Sequence, residues 1–193
     1  NLRCIYCMPE EGICQTAHKE ILTYDEIRRI CRCMTALGIK KIKLTGGEPL
    51  TRKDSAVLVR MLKELPGIEK VTLTTNGILL KEQMAELAEA GIDNINISLD
   101  TLNTETFQKI TRREGLARVL EGLKEAMKYP RIGLKINCVP VLEDPENLIN
   151  LAGIAKDNPI HVRFIEMMPI GYGKEFRFCG EDEICSVLEG AYG

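Results

Sequence analysis

The chain has 193 residues, of which 45% are hydrophobic and 28% are charged, so it is long enough to bury one sizeable core. Its formal net charge is −2 and its basic and acidic side chains are interspersed, which argues against a nucleic-acid-binding stripe or a membrane-surface helix. No apolar run approaches the ~20 residues that span a bilayer.

Short β-branched runs alternate with helical patterns along the chain, which is typical of βα repeats and a parallel sheet. The pattern predicts five strands, at residues 41–45, 70–75, 94–99, 133–139 and 161–165. The first predicted helix begins at Thr23, which forms a capping box with Glu26, and ends at Gly38. Three more are predicted at residues 55–65, 81–90 and 105–128, the last with a break near Gly115. Two further helices are predicted to begin at Asp144-Pro145 and near Asp182.

The predicted strands are polar on one face and apolar on the other. Asn94, Asn96, Ser98 and Asp100 alternate with Ile95, Ile97 and Leu99, and the pattern recurs at Thr72, Thr74 and Asn76 and at Lys135 and Asn137. Helices should cover the apolar faces. Polar groups inside a solid barrel would lack partners, so the pattern predicts an open or partial barrel that holds a large polar ligand.

Cys4 and Cys7 form a C-x-x-C pair near the beginning of the sequence. Such a pair occurs as half of a zinc site, as a redox pair or by chance, and no second C-x-x-C or C-x-x-H completes a zinc site here. Five other cysteines lack ligand-like spacing: Cys14, Cys31, Cys33, Cys138 and Cys179. Cys31 and Cys138 are expected to be small buried hydrophobic residues, and the cysteine content fits reducing, cytoplasmic conditions.

Two segments resemble the radical S-adenosylmethionine (SAM) superfamily. Asn1-Leu2-Arg3-Cys4-Ile5-Tyr6-Cys7-Met8-Pro9 resembles the signature C-x3-C-x2-C without its first cysteine, which would directly precede Asn1. Thr45-Gly46-Gly47-Glu48-Pro49, after the first predicted strand, resembles the Gly-Gly-Glu segment of the family. The resemblance implies that Cys4 and Cys7 bind a 4Fe–4S cluster, whose free iron holds SAM and cleaves it to a 5′-deoxyadenosyl radical.

The rest of the chain resembles the GTP 3′,8-cyclases of molybdenum cofactor biosynthesis within that superfamily. The similar segments are Leu22–Glu26, Leu73–Gly77, Ile97–Asp100, Lys135–Val139 and Val162–Pro169. The resemblance implies SAM contacts for Tyr6, Gly47, Glu48, Ser98 and Met168, and GTP contacts for Lys43, Thr74, Lys135 and Arg163. Tyr6 could instead shield the cluster from water, Met168 could fill the core, and Lys43 replaces a family arginine without its bidentate geometry.

The resemblance implies one radical SAM core over residues 1–193, an incomplete parallel (β/α)6 barrel whose first strand lies outside the chain. The implied reaction removes hydrogen from the ribose 3′ carbon of GTP and joins that carbon to carbon 8 of guanine, with no side chain assigned a catalytic role. A second 4Fe–4S cluster is implied beyond residue 193, so the chain alone is expected to be inactive. An electron donor is a further implied partner, no nucleic acid or membrane is expected, and a homodimer is allowed.

Two alternatives remain open from the sequence. One is a different radical SAM enzyme with a peptide or tRNA substrate, which cysteines beyond Gly193 would distinguish. The other is a non-enzymatic module that uses Cys4 and Cys7 for zinc.

Overall fold

A computed structural model describes residues 1–13, 16–141, 144–177 and 179–193. It contains five strands: β1 Lys41–Leu44, β2 Lys70–Thr75, β3 Asn94–Ser98, β4 Gly133–Cys138 and β5 Ile160–Phe164. It contains seven α-helices: α1 Tyr24–Ala36, α2 Ser55–Lys63, α3 Leu80–Glu89, α4 Thr104–Thr111, α5 Leu116–Ala126, α6 Pro145–Asp157 and α7 Glu181–Tyr192. Every predicted strand and helix is present, and the break near Gly115 separates α4 from α5.

The strands form one five-stranded sheet in the order β1-β2-β3-β4-β5. β1 pairs with β2 in parallel, with Lys43 opposite Thr72, and β4 pairs with β5 in parallel, with Asn137 opposite Arg163. Because strands that run in parallel end at the same edge of a sheet, each pair brings the ends of its strands together at one edge. Three short 3-10 turns that the sequence pattern did not predict lie at His18–Glu20, Pro49–Thr51 and Gly171–Glu175.

Local sequence signals explain where the first and sixth helices begin. Thr23 Oγ1 accepts a hydrogen bond from the Glu26 amide at 3.2 Å, and Glu26 Oε2 accepts from the Thr23 amide at 2.7 Å, as the predicted capping box requires. At the start of α6, Asp144 Oδ1 accepts from the Asn147 amide at 3.1 Å, with proline at the first helical position. Both predicted helix starts are confirmed.

The apolar faces of β2 and β4 are buried and their polar faces are more open, as predicted. Val71 and Leu73 on β2 have no exposed surface, whereas Thr72 and Thr74 between them are partly exposed. Along β4, Leu134, Ile136 and Cys138 are buried, and the residues between them are partly exposed. The period-2 alternation therefore gives β2 and β4 one core-facing side. On β3 the polar-face residue Asn96 is also buried, at 7% exposure, and its side-chain amide bonds Thr74.

The contacts of the chain divide it into two compact units. The cysteine unit comprises Asn1–Ile13, Ile97–Ala117 and Leu134–Gly193, and the Gly-Gly-Glu unit comprises Cys14–Asn96 and Arg118–Gly133. In the Gly-Gly-Glu unit, α2 packs against β2, α1 and α3, and its core includes Val59, Leu62 and Met84, which have no exposed surface. In the cysteine unit, α6 packs against β5 and α7.

Two cysteine predictions are confirmed, because Cys31 is 7% exposed and Cys138 has no exposed surface. Other apolar residues on the stripe of Cys31 are exposed, including Met34 and Leu37. Cys14 lies outside the described residues. In the described ranges, no helix is both long and apolar enough to cross a membrane.

Candidate functional site

Cys4 and Cys7 lie on one tight turn of the cysteine unit. The amides of Cys7 and Met8 both donate to the carbonyl of Cys4, at 3.0 and 3.1 Å. Cys4 is partly buried, Cys7 is exposed, and both are free of disulfides. The turn therefore presents two thiols three positions apart on a short backbone loop.

The loop is attached to the end of α4 by backbone hydrogen bonds. The Arg3 amide donates to the carbonyl of Thr111, and the Ile5 amide donates to the carbonyl of Ile110, both at 2.9 Å. One of these bonds lies just before Cys4 and the other just after it, so they fix the backbone on both sides of the first cysteine.

Arg112 closes the other side of the same loop. It follows α4 with a positive φ of 54°, a conformation that is uncommon for a residue with a side chain. Its guanidinium Nη1 donates to the carbonyls of Met8 at 3.1 Å and Arg3 at 3.4 Å. These two carbonyls lie on either side of the cysteine turn, so Arg112 bridges its two ends.

Tyr6, between the two cysteines, connects the loop to the end of β3. Its hydroxyl donates to Asp100 Oδ2 at 2.8 Å, and the Val139 amide donates to Asp100 Oδ1 at 2.9 Å. Burial raises the pKa of Asp100 to about 6, although the hydrogen bonds from Val139 and Tyr6 act in the opposite direction. Burial, followed by the nearby charge of Asp100, also raises the pKa of the Tyr6 hydroxyl.

The loop disfavours a free thiolate at Cys4. Burial raises the pKa of the Cys4 thiol to about 12, and the charges of Asp100 and Cys7 act in the same direction. A bound cation reverses this effect, because a metal ion deprotonates the thiol that coordinates it. The two thiols thus suit iron as ligands, but within the described ranges no group of three His, Cys, Asp or Glu side chains could hold a metal ion. The pair fits part of a ligand set whose third predicted cysteine would precede Asn1.

Two cations occupy the open faces of β4 and β5 in the same unit. Lys135 is partly exposed and Arg163 is exposed, and neither has an ion pair or a side-chain hydrogen bond with any residue that the structure describes. Asn137, next to Lys135 on this face, has a buried side-chain oxygen without a hydrogen-bond partner. Unpaired cations attract anionic groups, and the unsatisfied oxygen of Asn137 can accept a hydrogen bond from a donor on a ligand.

The remaining predicted residues of the cysteine unit are open to solvent. Ser98 is exposed at the end of β3. Met168 is 64% exposed, so the alternative that it fills the core is wrong; Met167 is buried in its place, at 6% exposure. Met167 packs in an apolar cluster with Ile110 and Val141, against which Ile5 and Tyr6 also pack.

In the Gly-Gly-Glu unit, the predicted glycine segment follows β1 directly. Gly46 has a φ of 141°, which disfavours any side chain, and a Cβ atom added at Gly47 would meet nothing within 4 Å. The backbone at Gly47 is therefore accessible to a ligand. Lys43 is exposed on β1 and has no charged partner among the described residues.

Glu48 is bonded within the protein. Its Oε1 accepts from the Leu50 amide at 3.0 Å and from Thr75 Oγ1 at 2.7 Å, and its Oε2 accepts from the Asn76 amide at 2.7 Å. The carboxylate thus joins the loop after β1 to the end of β2. Thr74, one residue earlier on the open face of β2, accepts a hydrogen bond from the Asn96 amide group at 3.3 Å.

Residues 1–154 match the family described as the Radical SAM superfamily. The chain belongs to this superfamily. The matched segment contains both the cysteine turn and the Gly-Gly-Glu loop, as predicted from the two motifs.

Curated radical SAM relatives resemble the chain over nearly all of its length. It is 43% identical to the GTP 3′,8-cyclase of Alkaliphilus metalliredigens, over 98% of this chain and 61% of that protein. It is 45% identical to the GTP 3′,8-cyclase of Peptoclostridium acidaminophilum, over 95% of this chain and 58% of that protein. It is 44% identical to Molybdenum cofactor biosynthesis protein 1 of Dictyostelium discoideum, over 88% of this chain and 27% of that protein. The chain spans less than two thirds of each of these relatives.

Solved structures share the fold. Streptococcus suis SuiB bound to S-adenosylmethionine superposes with a TM-score of 0.68 at 24% identity, over 85% of this chain and 35% of that one. HydG, a maturase of the [FeFe]-hydrogenase, superposes with a TM-score of 0.70 at 15% identity, over 98% of this chain and 46% of that one. The predicted parallel α/β fold of the radical SAM type is thereby confirmed.

Sequence reasoning missed two residues that shape the radical SAM cysteine loop. Asp100 continues the polar face of β3, and that alternation was a usable signal for a functional position. Arg112 carries no signal of its own, because neither its positive φ nor its bonds to the loop can be derived from neighbouring residues.

Proposed function

We propose that this chain is the core of a GTP 3′,8-cyclase, which converts GTP to (8S)-3′,8-cyclo-7,8-dihydroguanosine 5′-triphosphate for molybdenum cofactor biosynthesis. The observation that supports it most is the 43% identity to a GTP 3′,8-cyclase over 98% of this chain. The two unpaired cations on the open faces of β4 and β5 agree with a triphosphate substrate.

In this proposal, Cys4 and Cys7 supply two of the three thiolates of a 4Fe–4S cluster. When bound, the cluster and SAM supply a 5′-deoxyadenosyl radical. The chain holds the turn in place through the end of α4 and through Arg112, and it packs Tyr6 beside the apolar cluster of Met167, which keeps water from one side of the loop.

The proposed SAM contacts are Tyr6, Gly47, Glu48, Ser98 and Met168. In the Gly-Gly-Glu unit, the open backbone at Gly47 can approach the methionine part of SAM, and Glu48 sets the course of that loop through its three hydrogen bonds. In the cysteine unit, the exposed side chains of Ser98 and Met168 are available to SAM, and Tyr6 lies between the two cysteines in the sequence.

The proposed GTP contacts are Lys43, Thr74, Lys135 and Arg163. Lys135 and Arg163 would bind phosphate oxygens through charge-assisted hydrogen bonds. Thr74 offers a hydroxyl on the open face of β2. Lys43 offers a charge without the bidentate geometry of an arginine.

The proposal extends to parts of the protein beyond these residues. It includes a second 4Fe–4S cluster beyond residue 193 that binds guanine, an electron donor, and a cytoplasmic location. A homodimer is compatible with it.

The experiment is anaerobic turnover by the full-length protein that contains this chain. After reconstitution with iron and sulfide, dithionite, SAM and GTP should yield 5′-deoxyadenosine and the cyclised nucleotide. Cys7→Ser should abolish both products, because serine is a poor iron ligand, and residues 1–193 alone should yield no cyclised nucleotide. A wild-type protein that forms 5′-deoxyadenosine only with a peptide or tRNA would refute the GTP assignment, and one that binds zinc and no cluster would refute both.

A further inference from the structure

The hydroxyl of Tyr6 is the one polar group on a ring that otherwise packs against the apolar cluster of Ile110, Val141 and Met167. A phenylalanine would fill the same space, so packing alone does not explain a tyrosine at this position. The hydroxyl donates to Asp100, which lies 94 positions further along the chain. This bond is the feature that distinguishes tyrosine from phenylalanine here.

We propose that Asp100 is a positioning residue for the cysteine loop, and that it acts through the Tyr6 hydroxyl to hold Cys4 and Cys7 at the spacing that a cluster requires. This inference rests on the proposed function for the identity of the group that the cysteines bind. The hydrogen-bonded clamp itself is independent of that group.

Asp100 is suited to this role because the residue after β4 and the first turn of α6 both form hydrogen bonds with it. Its Oδ1 accepts from the Val139 amide at 2.9 Å, just beyond the end of β4. Its backbone carbonyl accepts from the Asn147 side chain at 2.8 Å, and Asn147 in turn accepts from the Leu102 amide at 3.1 Å. Asp100 is thus held just after β3 by its carboxylate, which bonds the Val139 amide beyond β4, and by its backbone carbonyl, which bonds the first turn of α6.

The cysteine loop, by contrast, has few attachments of its own. Its backbone is tied to α4 at Arg3, before the turn, and at Ile5, between the two cysteines, and to Arg112 at its two ends. Between the cysteines, the side-chain bond to the core is the one from Tyr6. Because Tyr6 is within two positions of both cysteines, fixing its ring restricts the backbone that carries both sulfur atoms.

The variants separate the bond from the packing. Tyr6→Phe keeps the ring and removes only the hydroxyl, and Asp100→Ala removes the acceptor. Asp100→Asn is the conservative variant, because its carbonyl can still accept from Val139 while its NH2 group donates to the Tyr6 oxygen. Tyr192→Phe is the matched control, since its hydroxyl also donates a hydrogen bond in the same unit, but to the backbone carbonyl of Ile149.

The first measurement uses the full-length protein without its cluster. Amide hydrogen exchange of residues 3–8 should be about tenfold faster in Tyr6→Phe and Asp100→Ala, since a hydrogen bond to a charged group is lost. Asp100→Asn should lie between these variants and the wild type, and Tyr192→Phe should match the wild type. The double variant Tyr6→Phe/Asp100→Ala should exchange no faster than the faster single one, because both lose the same bond.

The second measurement uses the reconstituted protein. A chelator should remove iron about tenfold faster from Tyr6→Phe than from the wild type, for the same lost bond. The electron paramagnetic resonance spectrum of the reduced cluster with SAM should broaden into more than one species, which a general loss of stability would not produce. Wild-type exchange at residues 3–8 together with wild-type iron release in Tyr6→Phe would overturn the inference. A wild-type protein that takes up no iron would overturn the proposed function, while hydrogen exchange would still decide whether the clamp exists.

Discussion

Replacing Glu48 by Gln would show whether its carboxylate chiefly holds the Gly-Gly-Glu loop or contacts SAM. The side chain already accepts three hydrogen bonds, from the Leu50 amide, the Thr75 hydroxyl and the Asn76 amide. A glutamine can keep its oxygen where the first two donors converge. Its NH2 group then faces the Asn76 amide, so that one hydrogen bond is replaced by two opposed donors.

The expected magnitude follows from these three bonds. A hydrogen bond to a charged group contributes about 1.5–3 kcal/mol and a neutral one about 1 kcal/mol. The lower limit applies here because Glu48 is partly exposed, so water can in part replace it as an acceptor. Three bonds at that limit contribute about 4.5 kcal/mol, and glutamine retains about 2 kcal/mol from two neutral ones. Glu48→Gln should therefore lower the free energy of unfolding by about 2.5 kcal/mol.

The assay is urea unfolding of the full-length protein followed by far-ultraviolet circular dichroism, with SAM affinity measured by calorimetry. The midpoint should fall without a change in slope, as expected for a loss of stability alone. Glu86→Gln is the control, because Glu86 is exposed on α3 of the same unit, and its effect should stay within about 0.5 kcal/mol. A wild-type midpoint for Glu48→Gln would refute the stabilising role of the three Glu48 hydrogen bonds. Lost SAM affinity with that midpoint would establish a direct cofactor contact instead.

Lys135→Ala should weaken GTP binding by about tenfold to a hundredfold while SAM binding is kept, because one charge-assisted hydrogen bond is lost; loss of SAM affinity with normal GTP affinity would reverse the assignment. Asp93→Asn should cost about 2 kcal/mol in urea unfolding, since Asp93 binds the partly buried Lys63 at 2.9 Å, and an unchanged midpoint would contradict this. In the cluster-free protein at about pH 8, iodoacetamide should alkylate Cys4 at least tenfold more slowly than the exposed Cys33, because burial raises the pKa of Cys4 to about 12. Mass spectrometry measures both rates, and equal rates would contradict the prediction.

The amino-acid sequence alone determined the strands, the α-helices and the two motifs. Strand alternation, the capping box at Thr23 and the Asp144-Pro145 helix start are local patterns, because the groups that form them lie within a few positions of one another. The cysteine spacing and the Gly-Gly-Glu segment identified the superfamily, because each motif is also a short run of neighbouring residues.

Only the tertiary structure decided which side chains are available to a ligand. The sequence left open whether Met168 fills the core, and only the fold shows that Met168 is 64% exposed while Met167 is buried at 6% exposure. The resemblance predicts that Glu48 contacts SAM, and only the fold shows that its carboxylate also accepts hydrogen bonds from the end of β2. Burial and hydrogen-bond partners depend on which distant segments meet, and local residue order does not encode them.

The same limit applies most clearly to Asp100 and Tyr6. Each has an ordinary local explanation, as a polar residue after a strand and as an aromatic residue in a loop. Their bond joins positions 94 residues apart and forms only when the end of β3 and the cysteine loop are folded together. The sequence by itself therefore determined which chemical groups the chain carries, and the tertiary structure decided which of them hold the loop and which remain open, because that depends on contacts between segments far apart in the chain.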